Sequence, residues 1–70
     1  MYKIRLLRGG QVVETIYANT IDIAEIASKA SALEPQHGAD DWEIVNEMAQ
    51  RVVTKSRWNS MRHAELLRHE

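Results

Sequence analysis

The chain reads as an α+β protein in which an N-terminal two-stranded antiparallel β-hairpin packs against two or three α-helices. Three observations predict this class. Two β-prone segments flank Gly9-Gly10, an aspartate-led apolar stripe opens at Asp22, and a second run with the same opening grammar begins at Asp40. With 70 residues, one small domain spanning the whole chain is expected, since shorter cores bury too little surface to divide further.

The hairpin is expected over about residues 2–18. "YKIRLL" alternates, and "VVETIYA" is rich in β-branched residues. The adjacent glycines accept the positive φ values of a type I′ turn without steric cost. A two-residue loop sets Leu7 opposite Val12, Leu6 opposite Val13, Arg5 opposite Glu14, Ile4 opposite Thr15 and Tyr2 opposite Tyr17. Tyr2, Ile4, Leu6, Val13, Thr15 and Tyr17 then share the face to be buried, with the two tyrosines as a core pair and Arg5–Glu14 as a cross-strand ion pair on the other face. Leu7, Val12 and Ile16 on that other face make a secondary candidate surface, and the hairpin's free edges are open to an added strand.

The first helix is expected over about 22–34. Asp22 caps it, Glu25 stands three residues on, and Ile21 and Ile26 occupy the positions of a hydrophobic staple. Ile23, Ile26, Ala27, Ala30 and Leu33 form its inward stripe, and Pro35 disfavours helical geometry at Glu34, placing the end near Leu33. A helical region is expected over about 40–68. Asp40 or Asp41 caps it, Glu43 completes the box, and Trp42, Val45, Met48, Ala49 and Val52 recur at helical spacing. Trp58 and Met61 fall on the opposite side of that wheel, which favours a break near 54–57 and a separate C-terminal helix over about 57–68.

Composition narrows function. The chain has no cysteine, which removes disulfides and thiolate metal sites and fits a reducing compartment. Its longest apolar run is Ile16-Tyr17-Ala18, too short for a membrane span or a secretory leader, so a soluble cytoplasmic protein is expected. Neither metal nor cofactor is expected: His63 and His69 stand six apart, the wrong interval for one helix face, and His37 is remote in sequence. Arg8-Gly9-Gly10 is an isolated RGG triplet between strands and reads as the hairpin turn. No nucleophile with a base and no carboxylate pair in a cleft is legible, so catalysis is not expected. The clustered acids Asp40, Asp41, Glu43 and Glu47 read as helix-start residues and as a second, acidic surface.

Charge is laid out unevenly. Residues 1–50 carry four Lys/Arg against eight Asp/Glu, whereas 51–70 carry five against two. Acids at 40–47 and bases at 51–68 follow the helix-dipole preference; equally, two such segments packed antiparallel set each acidic end against the other's basic end, a self-complementary arrangement suited to a homodimer through the C-terminal half. Trp, Met and Arg together match the composition of protein interfaces. The expected function is therefore a small non-enzymatic protein–protein interaction module, homodimeric, that binds or inhibits another protein. Arg51, Trp58, Met61 and Arg62 are its expected contacts, with Lys55 and Arg57 as rim charges; the alternative for Trp58 is to fold back and roof the small core. The alternative is a small nucleic-acid-binding regulator that lays Arg57, Lys55 and Arg62 of the basic C-terminal helix against phosphates.

Overall fold

The elements run β1 (Lys3–Arg8), β2 (Gln11–Tyr17), α1 (Ile23–Gln36), β3 (Asp41–Val45), β4 (Arg51–Thr54) and α2 (Lys55–Arg68). The computed structural model describes the fold of residues 1–68 and the side chains of residues 1–61. Four antiparallel strands form one sheet in the order β2-β1-β3-β4. The class is α+β, but the architecture differs from the one expected. A second hairpin, β3–β4, follows α1 and replaces the expected helix from residue 40, so the sheet has four strands and two helices accompany it.

The reason lies in residues 40–54. Trp42 and Ile44 alternate with Glu43, and both are fully buried beside Leu6 and Ile4 of β1. The spacing of Trp42, Val45, Met48 and Val52 matches a helix numerically, yet Met48 is 78% exposed and only the strand period accounts for Ile44. The β3–β4 turn carries neither glycine nor proline. Ala49 takes the left-handed conformation, at φ 62°, where a glycine or asparagine normally announces a turn. Asn46 organises the loop instead. Its Oδ1 accepts from the Met48 and Gln50 backbone N–H groups at 2.9 and 3.0 Å, and its Nδ2 donates to Gln50 Oε1 at 3.1 Å.

The first hairpin forms around the expected turn, with Gly9 at φ 59° and Gly10 at φ 83°. Its register changes after two rungs, Arg8–Gln11 and Leu7–Val12. Leu7 faces Val12, but Leu6 faces Glu14, so Val13 is the extra residue of a β-bulge. Every later pair shifts: Ile4 faces Ile16, Arg5 faces Thr15 and Lys3 faces Tyr17. The buried face therefore carries Ile4, Leu6 and Ile16, while Val13, Thr15 and Tyr17 are exposed. The expected tyrosine pair is absent; Tyr2 is half-buried against the core, and Lys3 Nζ sits 5.4 Å from the centre of the Tyr17 ring. A second bulge at Val52 sets Val45 opposite Arg51.

α1 covers β1 and β3, and its Ile26, Ala27 and Ala30 complete the core with Ile4, Leu6, Ala18, Trp42 and Ile44. The alanines let the helix approach closely. Asp22 caps it as expected, accepting from Ala24 N–H at 3.0 Å and Glu25 N–H at 3.4 Å. The expected staple does not form, because Ile26 is buried while Ile21 is 84% exposed. The helix continues to Gln36 with Pro35 inside its last turn. Proline there removes a single N–H donor, from an exposed turn where water reaches the freed carbonyl. The chain leaves through Gly38 at φ 65°, with His37 N–H donating to the Leu33 carbonyl at 3.2 Å.

α2 begins directly from β4. Thr54 Oγ1 accepts from Arg57 N–H at 3.3 Å, a helix-start contact. Trp58 is half-buried and rests on the core cluster, so this tryptophan completes the fold. No helix among the described residues is long and apolar enough to cross a membrane.

Candidate functional site

The sheet face turned away from the core cluster, here the open face, exposes Thr15, Tyr17 and Arg51, while Val45 within it is fully buried. Strand register arranges that open face in rows. Tyr17, Lys3, Val45 and Arg51 form one row across the four strands, and Thr15, Arg5, Glu43 and Thr54 form the next. Glu43 is the electrostatic centre. Its carboxylate lies 3.7 Å from Arg5 and 3.8 Å from Arg51, and its side chain is only 14% exposed. Arg5 thus pairs with Glu43 on β3, the consequence of the bulge that moved Glu14 to the opposite face.

A different feature stands at the end of the sheet where β1 begins and β2 and β3 finish. Ala18 N–H donates to the Tyr2 carbonyl at 3.0 Å, closing the strand ends. Thr20 Oγ1 accepts from Asp22 N–H at 3.1 Å, and the Asp22 cap follows at once. Two successive polar turns therefore hold the backbone on either side of Ile21 and turn its side chain outward. On the neighbouring loop, Asn46 fixes the Met48 backbone. Met1 completes the group at 68% exposure. Met1, Ile21 and Glu47 border two adjoining open hollows of about 720 and 340 Å³; Ala18 and Asn19 line the larger, and Tyr2 and Met48 the smaller. The Met1 ammonium group donates to Glu47 Oε1 and holds the Glu47 carboxyl below its usual range.

The residues singled out from sequence lie in several places. Arg51 and Arg57 border a small hollow of about 180 Å³ with Val52, Val53 and Thr54 on the β4 edge. Lys55 turns away from that hollow to Glu34 and to the Asp40 carbonyl. Met61 is exposed on α2, and the Arg62 side chain lies outside the described residues. The four acids do not share a helix start. Asp40 Oδ2 accepts from Gly9 N–H at 3.2 Å, Asp41 begins β3, Glu43 lies on the open face, and Glu47 meets Met1. Among the described residues no three His, Asp or Glu side chains converge to hold a metal ion.

Sequence reasoning missed the Met1–Ile21–Met48 group for two reasons. Ile21 fits a staple and Met48 fits a helix stripe, both structural roles that absorb an apolar side chain. The signal available was the turn chemistry of Asn19-Thr20 before Asp22, which competes with staple geometry. No protein-family model, curated protein or solved structure matches this chain.

Proposed function

We propose that the protein is a small non-enzymatic interaction module, homodimeric, that acts by binding or inhibiting another protein. The observation that carries this reading is the exposure of Ile21, at 84%, together with Met1 and Met48, around two adjoining hollows. Isolated apolar side chains on a surface are ordinary, but a cluster bordering a concavity marks an interaction site. Methionines suit it, because their unbranched side chains adapt to an incoming apolar group. The polar turns around Ile21 and Met48 hold the site in place before a partner arrives, which lowers the ordering cost of binding.

The test is the paired variant Ile21→Ser with Met48→Ser, used as bait beside the native protein. Capture of a specific partner by the native chain and its loss from a variant with unchanged circular dichroism supports the reading. Equal capture by both removes this pole as the site.

A second reading has one observation in its favour. Arg51 and Arg57 flank the hollow on the β4 edge, a place for a phosphate group of a nucleic acid. Glu43 weighs against it, since one carboxylate lies beside both Arg5 and Arg51 and lowers the potential that would attract a polyanion. Retention on single-stranded DNA at low salt, lost steeply as salt rises, would move this reading to first place.

A further inference from the structure

The sheet's two edges are built differently. The β4 edge spans only four residues and carries Arg51, so short length and charge guard it. The β2 edge spans Gln11–Tyr17, and every side chain on it is exposed except half-buried Ile16. It holds no proline, lysine or arginine, and Glu14 is its one charged residue. At its middle the Thr15 N–H donates to Glu14 Oε1 at 3.2 Å. A main-chain donor met by its neighbour's carboxylate faces away from β1, into the position where another strand would pair.

We propose that this edge docks the β2 strand of a second copy, antiparallel and centred on Thr15. The inference rests on the homodimeric part of the function proposed above and assigns its interface. Register decides the occupant. Pairing about Thr15 exchanges the Thr15 N–H and C=O groups across a two-fold axis. It sets Val13 against Tyr17 twice on the open face, an aromatic–β-branched pair, and Thr15 against itself; both kinds of pair stabilise antiparallel strands. Glu14 then faces Ile16, so the two carboxylates are kept apart. Pairing about Glu14 instead places two carboxylates directly opposite one another, which is unfavourable. The Thr15-centred dimer is closed by its symmetry and joins both sheets into one, with both α1 helices on the same side. Glu14 leaves the Thr15 N–H on docking, and the nearby His37, whose Nδ1 is 4.0 Å from Glu14 Oε2, gives its carboxylate another neighbour.

The experiment combines solution mass with a register-specific cross-link, which the absence of native cysteine makes clean. Sedimentation of the native chain from micromolar to sub-millimolar concentration should show a dimer. Thr15→Pro removes the edge donor without taking a hydrogen bond from β1 and should weaken dimerisation at least tenfold. Thr15→Cys should form a disulfide-linked dimer under mild oxidation at least tenfold faster than Met48→Cys in the β3–β4 loop. A monomer throughout overturns both this interface and the homodimeric reading. A dimer that withstands Thr15→Pro, with Thr15→Cys linking no faster than Met48→Cys, overturns the β2 interface alone and returns the contact to another surface.

Discussion

Lys55 Nζ lies 2.9 Å from each carboxylate oxygen of Glu34, joining the first residue of α2 to the last turn of α1. The Glu34 side chain is 18% exposed, so the pair stands between the surface regime, worth little, and the buried regime, where an orphaned charge is costly. Lys55→Ala should therefore destabilise the protein by about 1–2 kcal/mol. The double variant with Glu34→Ala should lose less than the sum of the single losses. Urea denaturation of the four proteins in the cycle measures this, and zero coupling would show that the contact holds nothing.

The β3–β4 loop gives a prediction of opposite sign. Ala49 sits at φ 62°, where a Cβ costs about 1–2 kcal/mol. Ala49→Gly removes that cost but gains freedom in the unfolded chain worth roughly 0.5–1 kcal/mol. A net stabilisation of about 0.5–1 kcal/mol is expected, read as a higher denaturation midpoint with unchanged slope. A lower midpoint would mean that the loop does not hold Ala49 in this conformation.

Asn46 should matter more than its exposure suggests. Asn46→Ala orphans the Met48 and Gln50 N–H groups that its carbonyl oxygen accepts, and a loss of about 1–2 kcal/mol is expected by analogy with capping side chains. Because the same side chain positions Met48, partner capture should weaken along with stability. Amide exchange at Met48 and Gln50 separates this local effect from global unfolding.

What the sequence disclosed and concealed follows from these residues. Gly9-Gly10 and Asp22 announce their elements because positive φ and a free carboxylate at a helix start have few alternative uses. Ala49 announces nothing, and with Asp40 and Glu43 imitating a capping box, the strand at Trp42–Val45 reads as helix. The bulge at Val13 is equally silent, since either register puts β-branched residues on both faces; only the burial of Ile16 in place of Thr15 beside Ile4 decides it. The candidate site was hidden for a related reason. Ile21 has a plausible structural partner in Ile26, and nothing local shows that Thr20 and Asp22 turn it outward.

The open face yields a test of charge. Glu43 neutralises Arg5 and Arg51, so Glu43→Gln should leave those cations unopposed beside Lys3. The variant is expected to elute from a polyanion column at higher salt than the native protein, at a stability cost of about 1 kcal/mol or less. If elution does not change, the two arginines are already free of Glu43 in solution, and Glu43 does not oppose nucleic-acid binding.

The two tryptophans differ in how deeply the core holds them. Trp42 is 1% exposed and packs at the centre of the core cluster, so Trp42→Ala should cost about 3–5 kcal/mol and leave the isolated protein largely unfolded. Trp58 is half-buried on the rim of the same cluster, and Trp58→Ala should cost about 1–2 kcal/mol by its smaller burial. The fold should survive with α2 loosened, visible as lower helical circular dichroism at 222 nm in a protein that still unfolds cooperatively. Partner capture through Ile21 and Met48 should persist in Trp58→Ala at temperatures below its own transition. Loss of capture with stability intact would instead make Trp58 a contact residue and move the binding surface from the Ile21 pole to α2.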